Sequence, residues 1–80
     1  MPDALLPGSL AIALAGLRFL MQRPNGFCNN TPCKIDSGDL VLVVATASIT
    51  MANGTSHSWS LVIHDGSAGW RRSHYFKAVT

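Results

Sequence analysis

Residues 39–50, Asp-Leu-Val-Leu-Val-Val-Ala-Thr-Ala-Ser-Ile-Thr, constrain the fold more than any other stretch of this chain. β-branched side chains crowd the preceding turn of a helix but suit the pleat of a strand, so this segment is expected to be β. It is apolar at nearly every position through Ala45, which predicts a strand covered on both faces. In a chain of 80 residues the cover has to come from close neighbours. Glycine-marked turns stand on either side, at Ser37-Gly38-Asp39 and at Asn53-Gly54, so those neighbours are expected to be further short strands.

The remaining sequence reads consistently with this. Residues 15–21 read as strand. Residues 9–14 fit either a strand, with Leu10, Ile12 and Leu14 on one side, or a short helix favoured by their Ala and Leu content. Residues 22–38, rich in Pro, Asn and Gly, read as one long irregular loop. Asn53-Gly54 predicts a hairpin, since both residues tolerate positive φ. Residues 58–64 form the next strand and Asp-Gly-Ser-Ala-Gly turns the chain. Trp-Arg-Arg-Ser-His-Tyr-Phe-Lys-Ala-Val closes it as strand, tight turn and last short strand. Four or five short strands at this spacing predict an all-β fold, a small barrel or sandwich formed as one domain over 1–80.

Composition narrows the function. Hydrophobic residues make up 48% of the chain and charged residues 12%, about half the usual charged share of roughly 25%, which excludes a disordered tail. So little charge leaves apolar surface to be covered by a partner or by another copy. The net charge is +2, with no glutamate, and the only adjacent basic pair is Arg71-Arg72; this is not the clustered footprint of a nucleic-acid binder. The N-terminal apolar run lacks a positive leader, carries Asp3 and is broken at Pro7-Gly8. It reads as part of the fold and is too short to span a bilayer, so no membrane partner is expected and a cytoplasmic setting is favoured. Cys28 and Cys33 bracket Asn-Asn-Thr-Pro. They suit a disulfide closing a small loop or a reduced pair, and their spacing is not that of a zinc site. No cofactor motif appears.

With these elements in place, the chain resembles the SH3 domain family over residues 15–79. Ser-Gly-Asp-Leu-Val-Leu-Val-Val resembles the family's diverging turn, and Trp59 resembles the tryptophan that opens its central strand. Gly-Trp-Arg-Arg-Ser-His-Tyr-Phe is similar to its closing element, keeping Gly69, Ser73, Tyr75 and an apolar Phe76. The resemblance implies a five-stranded SH3-like barrel. Arg72 stands where proline-binding members carry a proline, and His74 where they carry an asparagine. The loop between Met21 and Gly38 offers Arg23 and Lys34, with Asp36 only at its end. Such a groove would repel the cationic peptides the family takes. Arg71 falls where the family buries an aliphatic residue, so either Trp70 takes that role or the correspondence slips by one.

Trp59, Trp70, Arg71, Arg72, His74 and Tyr75 are therefore the expected binding residues, since aromatics beside arginine are what binding hot spots are made of. Packing of the tryptophans at the ends of a small core, with solvated arginines, accounts for the same residues. Catalysis is not expected. His64 and Asp65 are adjacent and so point to opposite faces of a strand, and no glycine-framed nucleophile turn is present. The leading expectation is a non-enzymatic module that binds an acidic or neutral protein segment. One alternative is a self-assembling structural subunit of viral or mobile-element origin, with residues 4–21 against another copy. The other is single-stranded nucleic-acid binding through the aromatics with Arg71, Arg72, Lys77 and Arg18.

Overall fold

The computed structural model describes residues 5–24 and 30–79. Seven strands follow one another among them: β1 (Leu10–Ala13), β2 (Leu17–Met21), β3 (Asn30–Ile35), β4 (Leu40–Thr50), β5 (Ser56–His64), β6 (Ser67–Arg72) and, after a 3-10 turn at Ser73–Tyr75, β7 (Phe76–Ala78). They form a single antiparallel sheet in the order β3-β2-β6-β5-β4-β1-β7. The sheet curls into a half-barrel, open between β3 and β7.

Expectation and structure agree on an all-β fold, and of the two readings open for residues 9–14 the strand holds, as β1 over Leu10–Ala13. They part company in three places. The described residues hold seven strands and not five. The stretch 22–38 is not loop throughout, because β3 lies inside it, paired with β2 from Leu17↔Ile35 to Met21↔Asn30. Pro32 and the Asn and Gly content around β3 disguise it: it is an edge strand, and Pro32 lies next to the β2–β3 register shift, both places where a sheet tolerates proline. Finally, β4 is covered on one face only. Val41 and Val43 are buried, while Leu40, Leu42 and Val44 are exposed.

The core fills the concave side with Ala11, Ala13, Leu17, Leu20, Ile35, Val41, Val43, Val62 and Phe76. Two alanines and three valines make it thin, which lets the strands curl closely. Gly69 shows how closely: a Cβ there would stand 2.5 Å from Leu20 Cβ and 3.1 Å from the Met21 carbonyl oxygen. This is where β2 pairs with β6, and only glycine allows so close an approach. Between Val43 and Ala45 the β4–β5 register shifts by one residue, a bulge that bends the long hairpin.

Two hairpins carry the central meander. Asp65 (φ 47°) and Gly66 (φ 82°) form the two-residue turn between His64 and Ser67, a type I′ geometry that matches the twist of the flanking strands. The β4–β5 connection is longer than a two-residue turn. Met51 N–H donates to Thr55 O at 2.7 Å, Gly54 N–H to Met51 O at 2.9 Å, and Asn53 Oδ1 accepts from Thr55 N–H at 2.9 Å. No helix among the described residues is long and apolar enough to cross a membrane.

Candidate binding surface

Strand alternation places the six expected site residues. Along β6, Trp70 pairs with Leu61 and Arg72 with Trp59, so these four share the convex face. Arg71 pairs with Ser60, next to Gly69 and Val62, and so points to the concave side. Trp59, Trp70 and Arg72 thus lie together. Arg71 joins a different group, with Tyr75 and His74 on the 3-10 turn. What the sequence suggests as one platform is two clusters back to back across β6.

In the convex cluster Trp59 is buried, with only 4% of its surface exposed. The Arg72 guanidinium lies over its ring, 5.8 Å from the centroid. Arg72 also donates to His57 Nδ1 at 2.8 Å. Arginine has no acceptor, so His57 must hold its proton on Nε2. Sequence reasoning missed His57 in this role, although its position two residues before Trp59 puts it on the same face. The resemblance would leave the Trp59 ring open to a ligand. Here the protein's own Arg72 covers it.

In the concave cluster the Arg71 guanidinium is held between two rings, 4.6 Å from the Phe19 centroid and 4.8 Å from that of Tyr75. Arg71 therefore takes the inward register position itself and its stem fills space there, while Trp70 faces outward, half-buried. Phe19, which the sequence did not single out, is the third aromatic of the site. Tyr75 stacks on His74 at 4.4 Å between centroids. The 3-10 turn is fixed from two sides, by a 2.7 Å hydrogen bond between the hydroxyls of Ser60 and Ser73 and by Leu14 N–H donating to Tyr75 O at 2.8 Å. Beside it opens a hollow of about 580 Å³, lined by Leu5, Thr46, Ala47, Ser48, Ser58, Ser73, His74 and Phe76.

Charge is unevenly matched across the described residues. Asp36 pairs with Arg18 at 3.3 Å and Asp39 with His64 at 3.3 Å. The first pair is exposed and contributes little. No described carboxylate is paired with Arg71 or Arg72. The two buried side-chain donors without a hydrogen-bond partner among the described residues are Trp59 Nε1 and Arg71 Nε, one in each cluster. Such orphans are uncommon in folded proteins.

The Cys28–Cys33 pair, which suits either a disulfide or two reduced thiols, involves Cys28, which lies outside the described residues. Cys33 Sγ donates to Leu17 O at 3.6 Å, and burial pushes its thiol pKa up, against smaller lowering by the Ile35 backbone hydrogen bond and by the charges of Arg18 and Arg71. Among the described residues no three His, Cys, Asp or Glu side chains converge as a metal site would need. Compared with protein-family models, curated proteins and solved structures, the chain finds no match.

Proposed function

We propose that this protein is a non-enzymatic interaction module on an SH3-like scaffold, and that it binds an acidic protein segment through Arg71 and the residues around it. The observation that carries the reading is the Arg71 guanidinium, stacked between Phe19 and Tyr75 and paired with no described carboxylate. Stacking takes up the faces of the guanidinium and Nε is buried, which leaves the end carrying the two Nη groups to form paired hydrogen bonds with a carboxylate. Desolvation by the rings strengthens that bond compared with one made in open water. His74 and Tyr75 flank the position, and the hydroxyl-lined hollow next to them offers room for a small neighbouring side chain. The SH3-like scaffold is supported by the Asp36–Asp39 turn before β4, the Trp at the centre of β5, and the 3-10 turn leading into a short last strand. The charge pairing used by proline-binding members has no counterpart in this surface.

A random peptide display library panned against the full chain tests this. Recovered peptides should be enriched in Asp and Glu. Arg71→Lys keeps the charge and loses the planar fork, and it should weaken binding of a recovered peptide by roughly tenfold or more with the circular dichroism unchanged. Peptides without acidic enrichment, or equal binding by the folded Arg71→Lys variant, would sink the proposal.

A further inference from the structure

Exposed apolar side chains are not scattered over this molecule. Of the nine large hydrophobic residues with substantial exposure among the described residues, six lie on one area of the convex face: Leu10 (47%), Leu40 (55%), Leu42 (38%), Val44 (40%), Ile63 (39%) and Val79 (43%). The register explains the grouping. Leu10 and Ile63 both pair with Leu42, one from each side, so the three form a row across β1, β4 and β5. Val79 extends the row past Leu10, its N–H donating to Leu10 O at 3.1 Å. Leu40 and Val44 lie on either side of Leu42 along β4. The result is an apolar cross centred on Leu42, with exposed Lys77, the partner of Ile12, on the same face beside it.

We infer that this face is a two-fold interface with a second copy of the chain. Two features select that occupant. The first is area. The six residues expose on the order of 400 Å² of apolar surface, which is as much as the largest patch of a typical monomer. A protomer contributes roughly 800 Å² to a standard interface, a little over half of it apolar, so the patch supplies about the apolar share a stable dimer needs. The second is symmetry. A two-fold axis lying in the interface along β4 sets Leu10 of one protomer against Ile63 of the other, while Leu40, Leu42 and Val44 each meet their own copy. Each apolar arm meets another apolar arm, which is the self-complementarity an isologous contact requires. Two gently twisted sheet faces pack in this way with their strands nearly aligned. This interface uses none of the six residues expected at the peptide-binding surface and stands or falls apart from it.

Sedimentation equilibrium of the reduced full chain tests the inference. The wild type should be a dimer. Leu10→Lys and Ile63→Glu are changes at exposed positions, and each should raise the dimer dissociation constant at least tenfold while leaving the circular dichroism spectrum of the chain intact. Mixing the two variants should restore a dimer, because the two-fold axis brings position 10 of one protomer against position 63 of the other and the two substitutions carry opposite charges. A wild-type monomer at the highest soluble concentration would overturn the proposal. So would a dimer indifferent to Leu10→Lys, or one that the mixture fails to restore.

Discussion

Arg71 stands in a strand position whose register points inward, in a sheet whose inward positions nearby are filled by Gly69, Val62 and Ser60. A charge there is tolerated because the guanidinium has weak hydration and large flat faces, which Phe19 and Tyr75 cover. The sequence made the residue visible, because an arginine where the resemblance expects an aliphatic side chain is a conflict. It did not show the solution, since Phe19 stands on β2, far from β6 along the chain, and only the fold joins them. Cys33 carries a second consequence at this scale. Burial raises its thiol pKa, so the protonated form is favoured in the folded chain. Its contribution to stability is therefore fully present below the unfolded thiol pKa and is lost as pH rises through the higher folded one. In a Cys28→Ser variant, alkylation of Cys33 by iodoacetamide should rise with pH later in the native protein than in the same chain unfolded in urea. A coincident or earlier rise would show that the thiol is not desolvated as described.

The elements were legible in proportion to how much of their pattern is local. The Asp65-Gly66 turn is read directly from two residues, and both adopt positive φ as such a turn requires. Gly66→Ala should cost about 1 kcal/mol or more, because alanine resists that backbone; a lower urea midpoint with an unchanged m-value would register it. An unaltered midpoint would mean that the hairpin adopts another turn. Strand β3 was hidden by Pro32 and by Asn30 at its start, since loop composition and edge-strand composition overlap. The covering of β4 was misjudged for a related reason. Period-two alternation reveals a solvent face only when that face is polar, and here Leu40, Leu42 and Val44 occupy it. The same residues that misled the reading of burial mark the proposed contact with a second copy.

At the level of the whole molecule, fold class was readable because turn glycines and β-branched runs act locally, whereas closure of the barrel was not. The resemblance implied five strands in a closed barrel, and the described residues instead form seven strands in an open curl. Which strands become neighbours depends on pairings between distant segments that no local pattern encodes. Those pairings should also set the folding rate. Apart from the hairpins, the sheet is held by distant partners such as β1 with β7 and β2 with β6. Refolding followed by tryptophan fluorescence should then fall in the millisecond-to-second range of nonlocal β proteins. A microsecond phase carrying the full amplitude would contradict this.

One consequence concerns the order of synthesis. β1 is sandwiched between β4 and β7, so the earliest of the described strands to be made is among the last to be fully paired. One of its partners emerges only after β2 and β3, and the other is the latest described strand of all. Until then a short apolar segment, with Leu10 and Ile12 on one side and Ala11 and Ala13 on the other, has an unfilled edge in the growing polypeptide. The meander β4–β5–β6 can assemble while the chain is still being extended. The seam at β1, by contrast, stays open to any other strand nearby until β7 has cleared the ribosome.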